Sequence, residues 1–388
     1  MARPLRVGLV GADATGRGWG PVAHIPALRG IEGVELVALC TSRPESASAA
    51  AAAYGVDRAY HDVGEMAAEP DIDIVSVVVR VPHHHQVVMA ALEAGKHVFC
   101  EWPLGSNLAE AQQMAALARE KGVVTAIGLQ GRHDPRLTHV KELHDEGWLG
   151  EIVSVNVSLL AGGAGTSDSR SAWMGRADNG ANFVTIAAGH TIDYVTYCLG
   201  PVAEVSASVA TQVPQWQLAD SGETIDVDAP DTVLLNGTLA GGGLLSLHAA
   251  SVPFNGSNWR MEIYGTEGTI VASTPVLPQI SPITLEGARG DGPLSQLPTP
   301  ERLVVVPEDV PHGPARNVAA GYVRMAAAIK DERRFDPDFD HARELHELLE
   351  ALQHSSDTGS AVTLHDPNRV HRLPHVHTNP PGQPGNHA

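Results

Sequence analysis

The first third of the chain alternates short, almost continuously apolar segments with segments of helical periodicity, and this alternation constrains the fold most. Predicted strands lie at 5–10, 34–40, 74–81 and 96–100, and predicted helices at 44–54, 85–94 and 108–121. Asn107 and Gly122 are suitable caps for the last of these helices. Strands that are apolar on both faces belong in a parallel sheet covered by helices on each side. The pattern therefore predicts a doubly wound α/β Rossmann domain that binds a dinucleotide, at residues 1–130.

Beyond residue 130 the strands alternate apolar with polar residues, which is typical of an open, largely antiparallel sheet with one exposed face. These strands are predicted at 151–160, 202–212, 232–239, 243–249 and 260–264, with helices at 135–146, 315–330 and 340–354. Residues 275–300 are rich in Pro and Gly and predict a long loop. We expect a second α/β domain for substrate binding and oligomerisation at 131–365, followed by a disordered tail at 366–388.

Composition excludes several classes of protein. The 388 residues suit two domains, and a net charge of −19 argues against nucleic acid as a partner. The cysteines Cys40, Cys100 and Cys198 are too few and scattered for a disulfide framework or zinc site, which predicts buried thiols. Strand-like sequence begins at once, and no apolar run reaches membrane-spanning length. We expect a cytoplasmic protein that does not contact membranes.

The loop after the first strand carries an altered dinucleotide fingerprint. Gly11 and Gly16 have the spacing of the first and third glycines of that motif, but Asp13 occupies the place of the second. A carboxylate there repels phosphates unless it turns away. The loop, with Ala14 and Thr15, is predicted to bind a nicotinamide nucleotide; the alternative is a structural strand-to-helix turn.

The second strand ends in Thr41, Ser42 and Arg43, where an NAD-preferring site usually places an acid. Ser42 and Arg43 suit a 2′-phosphate, because a guanidinium binds phosphate bidentately. This favours NADP over NAD; the alternative is a solvated arginine before a helix.

Three further segments show a resemblance. "ALEAGKHVFCEWPLG", "MEIYGTEGTI" and "DFDHARELHELLEALQHSSDTG" resemble, in order, segments of the glucose-fructose oxidoreductase, inositol dehydrogenase and rhizopine-catabolism family (Gfo/Idh/MocA). The resemblance implies an N-terminal Rossmann domain, a C-terminal α/β domain on an open sheet, and a nicotinamide between them. It implies oxidation or reduction of a secondary alcohol on a sugar, polyol or related ring.

The resemblance also shows where this chain departs from the family. Glu101 and Pro103 match the Glu-Lys-Pro motif, but Trp102 replaces its lysine. In "NGANFVTIAAGHTID", His190 matches the acid/base histidine and Asp193 the acid one turn later. Ile186 stands at the catalytic aspartate position and Ala188 at the inner glycine.

The replacements resemble a narrower branch that contains the fungal galactose-pathway repressor and its bacterial relatives. "GWGPVAHIPAL", "VRVPHH", "GLQGRHDP" and "NGANFVTIAAGH" carry this likeness. That repressor is a nucleotide-binding regulator, so the branch supports nucleotide binding more strongly than catalysis. By this resemblance, Trp173 and Asn182 are candidate substrate contacts.

Several candidate site residues have two interpretations. Trp102 either packs against nicotinamide or a sugar face, or closes the domain interface. Arg80 pairs with a cofactor phosphate or with Glu101. Arg132 and His133 line the cleft or fasten the domains. Pro82, His85 and Glu101 complete the predicted cofactor contacts.

His190 is the best acid/base candidate, because imidazole titrates near neutral pH; the alternative is a structural helix histidine. No metal is expected at His83, His84 and His85, because adjacent residues rarely converge on one ion. None is expected either at His371, His375 and His377, which lie in the predicted disordered tail.

The leading hypothesis is an NAD(P)-dependent oxidoreductase with a carbohydrate-like substrate. The alternative is a catalytically silent nucleotide-binding regulator or ligand-binding protein. A homodimer or homotetramer is expected from the open sheet.

Overall fold

A computed structural model describes residues 3–364; the predicted tail and its histidines lie outside this range. The N-terminal part is built on a six-stranded sheet with the order β3-β2-β1-β4-β5-β6. All its strand pairs are parallel, as predicted. The strands are β1 (Leu5–Val10), β2 (Val34–Cys40), β3 (Arg58–Tyr60), β4 (Ile74–Val77), β5 (His97–Glu101) and β6 (Thr125–Gly128).

Helices cover both faces of this sheet. They include α1 (Ile25–Arg29), α2 (Pro44–Tyr54), α3 (Val63–Ala68), α4 (His84–Glu93) and α5 (Leu108–Lys121). The next helix, α6 (Pro135–Asp145), packs against the later helix Gly189–Leu199. The predicted caps of α5 are confirmed: Asn107 accepts from the Glu110 N–H, and Gly122 adopts the left-handed conformation at the C-cap. The predicted strand 74–81 ends earlier, because Val81–His83 forms a 3₁₀ turn that leads into α4.

The C-terminal part is built on a nine-stranded sheet with the order β17-β16-β15-β14-β7-β13-β12-β9-β18. Only the β7–β13 pair is parallel among its described strand pairs, so the predicted open, largely antiparallel sheet is confirmed. Its strands are β7 (Ile152–Gly162), β9 (Val202–Ala210), β12 (Thr232–Leu239), β13 (Leu244–Val252), β14 (Asn258–Gly265), β15 (Gly268–Thr274), β16 (Thr284–Arg289), β17 (Ser295–Gln296) and β18 (Val362–Thr363).

Helices and a small sheet complete this part. The helices are α7 (Gly189–Leu199), α8 (Pro314–Lys330) and α9 (Phe339–Thr358), and the small sheet joins β8 (Thr166–Ser167), β10 (Gln215–Leu218) and β11 (Thr224–Asp226). The predicted long loop at 275–300 is wrong, because β16 and β17 lie within it. The apolar signal of β16 is weak: Leu285 and Gly287 are its buried positions, with Pro and Gly nearby.

Helix α8 joins the two parts. Val318, Tyr322 and Met325 lie in the same buried cluster as Leu9 and Phe99 of the first sheet. The two domains therefore share core residues, and the division of the chain at residue 130 stays a prediction. Cys40, Cys100 and Cys198 are buried thiols, as predicted. No helix within residues 3–364 is long and apolar enough to cross a membrane.

Candidate active-site cleft

The loop after β1 begins with a glycine that no other residue can replace without strain. Gly11 has a φ of +108°, and a Cβ there would lie 2.2 Å from the Val78 carbonyl oxygen. The second close approach is at Gly20, whose Cβ would lie 2.5 Å from the Gly11 carbonyl oxygen. The first helical segment begins at Gly20, and nucleotide binding by Gly16 stays a prediction. Gly16 lies in the open loop, with no described atom within 4 Å of its Cβ position.

Asp13 turns its carboxylate into this loop. Its Oδ1 accepts hydrogen bonds from the Thr15 amide and hydroxyl, both at 2.7 Å. The Thr15 hydroxyl and amide hold the pKa of Asp13 below its usual range. The carboxylate is thus committed to the loop's own turn. Binding of a nucleotide by Ala14 and Thr15, which are exposed, stays a prediction.

The end of β2 leaves Ser42 and Arg43 exposed, immediately before α2. Thr41 is committed locally, since its hydroxyl lies 2.6 Å from the Ser46 hydroxyl. Preference for the 2′-phosphate stays a prediction.

Glu101, at the end of β5, is the centre of a polar network that sequence analysis missed. Its carboxylate accepts from His24 Nε2 at 2.7 Å and Gln130 Nε2 at 2.5 Å. Because the carboxylate accepts, His24 Nε2 carries the proton and Nδ1 accepts from the Tyr322 hydroxyl at 2.7 Å. Ser76 lies 2.6 Å from the same hydroxyl. These contacts fix the Glu101 carboxylate at the edge of the sheet, while Gln130 Oε1 is buried without a partner within residues 3–364.

Arg80 does not pair with Glu101, so that alternative is wrong. Its guanidinium donates to the Arg170 carbonyl at 2.9 Å and lies 5.5 Å from the centre of the Trp173 ring. The end of β4 is thereby joined to the segment that follows β8. Pro82 is exposed, and His85 is engaged with Gln113 at 2.8 Å. Their contacts with a cofactor stay predictions.

Trp102 is buried, with 5% of its surface exposed. Its Nε1 donates to the Thr185 carbonyl at 2.8 Å, and its ring packs on His346 with centroids 4.8 Å apart. A Cβ on Gly189 would lie 2.9 Å from the indole nitrogen. These contacts join the loop after β5 to the second part of the chain, and contact of Trp102 with nicotinamide or a sugar stays a prediction.

His190 lies in the first turn of α7, immediately beside this interface. The side chain is almost fully buried, and Nδ1 has no hydrogen-bond partner within residues 3–364. Burial lowers the pKa of His190 to about 4, against the opposing attraction of Asp193. At neutral pH the imidazole is therefore uncharged, and no neighbour fixes its tautomer through Nδ1.

Arg132 and His133 are held by side chains of the second part of the chain. Arg132 donates to Asp193 at 2.8 Å and to Asp336 at 3.2 Å, and its guanidinium lies 4.9 Å from the Tyr197 ring centre. Burial raises the pKa of Asp193, but Arg132 and His341 together outweigh it and hold that pKa far below its usual range. His133 Nδ1 lies 3.2 Å from the Arg324 guanidinium, and burial lowers the pKa of His133 to about 3. The guanidinium of Arg132 is thus committed to the protein, whereas His133 Nε2 has no hydrogen-bond partner within residues 3–364, and whether either residue contacts a substrate stays a prediction.

A cavity of about 290 Å³ opens beside the start of the α7 segment. Two predicted residues, Asn182 and Ile186, line it, and Trp173 precedes the lining residue Met174. Phe183 and Trp216 form further walls that sequence analysis missed. No group of His, Cys, Asp and Glu side chains suited to a metal occurs in the described part of the chain.

Comparisons with known proteins agree with this architecture. Residues 5–129 match the family described as "Oxidoreductase family, NAD-binding Rossmann fold", and residues 135–274 match "Gal80p, C-terminal domain". The Rossmann domain predicted to bind a nicotinamide nucleotide is thus confirmed.

Two curated relatives represent two kinds of activity. Dehydrogenase aclE of Aspergillus oryzae is 35% identical over 62% of this chain and 68% of its own length. The galactose/lactose metabolism regulatory protein GAL80 of Saccharomyces cerevisiae is 29% identical over 69% of this chain and 66% of its own length.

Solved structures share the fold. A super-repressor mutant of Gal80p from Saccharomyces cerevisiae superposes with a TM-score of 0.82 at 25% identity, over 93% of this chain and 98% of its own. A levoglucosan dehydrogenase complex with NADH and L-sorbose has a TM-score of 0.81 at 23% identity, over 94% of this chain and 99% of its own. The second match shows a common fold only.

Proposed function

Because the chain belongs to the Gfo/Idh/MocA oxidoreductase family with its NAD-binding Rossmann fold, we propose that it is an NAD(P)-dependent oxidoreductase. It interconverts a secondary alcohol and a ketone on a sugar, polyol or related cyclic compound. Its partner is a small molecule that binds between the two domains.

The residues at the carboxyl edge of the first sheet fit a dinucleotide. Gly11 and Gly20 allow the loop after β1 to lie against the sheet edge, since a side chain at either position would collide with backbone. Glu101 is fixed at the end of β5 by His24 and Gln130. When bound there, a nicotinamide ring supplies or accepts the hydride.

The observation that carries the proposal is the uncharged His190 at the domain interface. A neutral imidazole can accept the proton of an alcohol while hydride leaves the carbon, and it returns that proton when a ketone is reduced. The ion pair of Asp193 with Arg132 holds the next turn of α7 in place and thereby positions His190.

A second function, a nucleotide-bound protein without turnover, is favoured by one observation. Trp102 and Ile186 replace the two other chemical groups that the resemblance implies, and Trp102 is built into the core. The curated relatives include regulatory proteins as well as dehydrogenases.

Turnover distinguishes the two functions. Purified protein is first titrated with NAD(H) and NADP(H) by calorimetry and then incubated with a panel of cyclic alcohols and ketones, while nicotinamide absorbance is followed. The proposal predicts nucleotide binding together with substrate-dependent hydride transfer. Tight nucleotide binding without transfer to any member of a broad panel would favour the silent function.

A further inference from the structure

We infer that the cavity beside His190 binds an apolar ring, so that the substrate carries its reacting alcohol or ketone on a weakly hydroxylated ring system. This inference rests on the proposed function, which it narrows from cyclic compounds in general. Substrates with a hydroxyl on every ring carbon are disfavoured.

The walls of the cavity are mainly apolar. We call it the Trp216 cavity; its volume is about 290 Å³, which suits one small ring system. Its apolar lining includes Met174, Phe183, Ile186, Trp216, Ala229 and Pro230. Aromatic and aliphatic walls gain free energy by burying apolar ligand surface and supply no partner for a hydroxyl.

The one charged side chain of the lining is committed to the protein itself, while the hydroxyls of Thr166, Ser167 and Ser251 also line the cavity. The carboxylate of Asp231 accepts from the Gln212 and Val213 amides at 2.9 and 2.8 Å and from the Thr232 hydroxyl at 2.9 Å. Asn182 Oδ1 accepts from the Thr185 amide at 3.0 Å. A polyol in this cavity would meet only the three lining hydroxyls on a mainly apolar wall, and each further hydroxyl that it buries without a partner costs binding free energy.

Ile186 connects the cavity to the proposed chemistry. It lines the cavity from the π-helical turn Val184–Ala188, which leads directly into α7 and His190. A ring seated against Ile186 thus lies within about one helical turn of the imidazole. Because Ile186 stands at the family's aspartate position, no carboxylate is present there to accept a hydrogen bond from a substrate hydroxyl.

The cavity also lies close to the predicted cofactor edge. The segment containing Met174 is joined to the end of β4 by the contact of Arg80 with Trp173. Gly180 approaches Ser106 so closely that a Cβ would lie 2.2 Å from the Ser106 carbonyl oxygen. These contacts bring the cavity to the carboxyl edge of the first sheet, where a hydride donor would bind.

The experiment compares 4-phenylcyclohexanol with myo-inositol. Binding of each to the protein saturated with oxidised cofactor is measured by calorimetry, and turnover is followed by nicotinamide absorbance. We expect 4-phenylcyclohexanol to bind at least about tenfold more tightly, because its phenyl ring buries apolar surface in the Trp216 cavity.

Variants test the location. Ile186→Asp should weaken binding of 4-phenylcyclohexanol at least about tenfold, because a carboxylate would enter the apolar wall. The matched control Val276→Asp places the same charge at an exposed position outside the cavity and should leave binding unchanged. If Ile186→Asp does not fold, as judged by circular dichroism, Trp216→Ala replaces it, with the same loss expected.

The outcomes separate this inference from the proposed function. Myo-inositol binding as tightly as 4-phenylcyclohexanol, or folded cavity variants with unchanged affinity, would overturn the inference; turnover of myo-inositol would at the same time uphold the proposed function. Cavity-dependent binding of 4-phenylcyclohexanol without hydride transfer to or from any compound would uphold the ligand class and contradict the proposed function.

Discussion

Trp102 occupies the position of the family's lysine, and its surroundings explain why a lysine would be poorly accommodated. The indole is buried between the Thr185 carbonyl and the His346 ring. Burial lowers the pKa of His346 to about 4, so this neighbour is uncharged at neutral pH. An ammonium group placed there would lose hydration and leave part of the indole's volume empty.

We therefore predict that Trp102→Lys does not restore dehydrogenase rates and lowers the free energy of unfolding by about 3 kcal/mol or more. The control Trp102→Phe keeps an aromatic ring but loses the Nε1 hydrogen bond and part of the indole's volume, so its cost should be smaller, about 2 kcal/mol. Urea unfolding and steady-state rates measure both effects. A large gain in turnover from the lysine variant alone would show that the lysine was the only missing group.

The segment that joins β2 to α2 decides which nucleotide is preferred. Ser42 and Arg43 are exposed where the adenosine ribose lies in doubly wound folds, and no acid stands among residues 41–43. This arrangement leaves a 2′-phosphate unopposed and provides a guanidinium to bind it.

We predict that NADP(H) binds at least as tightly as NAD(H) and that Arg43→Ala weakens NADP(H) about tenfold while mostly sparing NAD(H). Arg333→Ala, which removes an exposed arginine on the segment after α8, is the control and should change neither affinity. Calorimetry that shows several-fold tighter binding of NAD(H) to the wild-type protein would refute the preference.

Elements with local signals were predictable from sequence. Helix α5 was predictable because its caps depend only on the residue type: the Asn107 side chain accepts a backbone hydrogen bond, and Gly122 adopts the left-handed conformation. Strand β16 was not predictable, because it has few apolar residues and is stabilised by its pairing with β15, which local sequence does not reveal. Gly20 was missed because its role arises from contact with Gly11 across the loop.

The sequence motifs identified candidate site residues by their position in the chain, but they did not identify the side chains that contact those residues. The motif placed Ile186 and His190 close together, and the structure has them in two consecutive helical segments, with Ile186 lining the Trp216 cavity. The partner of Glu101 was wrong, because His24 is 77 residues away in sequence and approaches only when the sheet and helices assemble. No local spacing encodes such a contact.

The nine-stranded sheet leaves one face open along the molecule. Leu234, Leu244 and Tyr264 are exposed on it, with Leu244 and Tyr264 both opposite Ser154. Large side chains of this kind on an open sheet favour burial against a second copy.

A homodimer or homotetramer therefore stays our prediction. The double variant Leu234→Glu and Leu244→Glu should shift the sedimentation of the protein to that of a monomer, because like charges would face each other across the interface. Phe254→Glu, at an exposed loop position, is the control and should leave the assembly intact. A wild-type monomer at micromolar concentration would contradict the prediction.

Acid sensitivity of the whole fold follows from its buried histidines. Burial lowers the pKa of His190 and His346 to about 4 and of His133 to about 3. The unfolded chain binds these protons near pH 6.5. The free energy of unfolding is therefore unaffected by these histidines above that pH and decreases as the pH falls toward 4.

We predict that the free energy of unfolding falls by about 1.4 kcal/mol per pH unit for each of these histidines between pH 6 and 4.5. His346→Leu should reduce that slope by the share of one histidine, whereas the exposed His354→Leu should leave it unchanged. Urea titrations at several pH values provide the slopes; identical slopes for wild type and His346→Leu would contradict the assignment.

The most direct test of the proposed chemistry is the single-turnover rate of hydride transfer in His190→Gln. If His190 is the acid/base, the rate should fall by about 10²–10⁴-fold, with nucleotide affinity unchanged and with the exposed control His354→Gln behaving as wild type. A folded His190→Gln protein that transfers hydride at the wild-type rate would remove His190 from the mechanism and contradict the proposal.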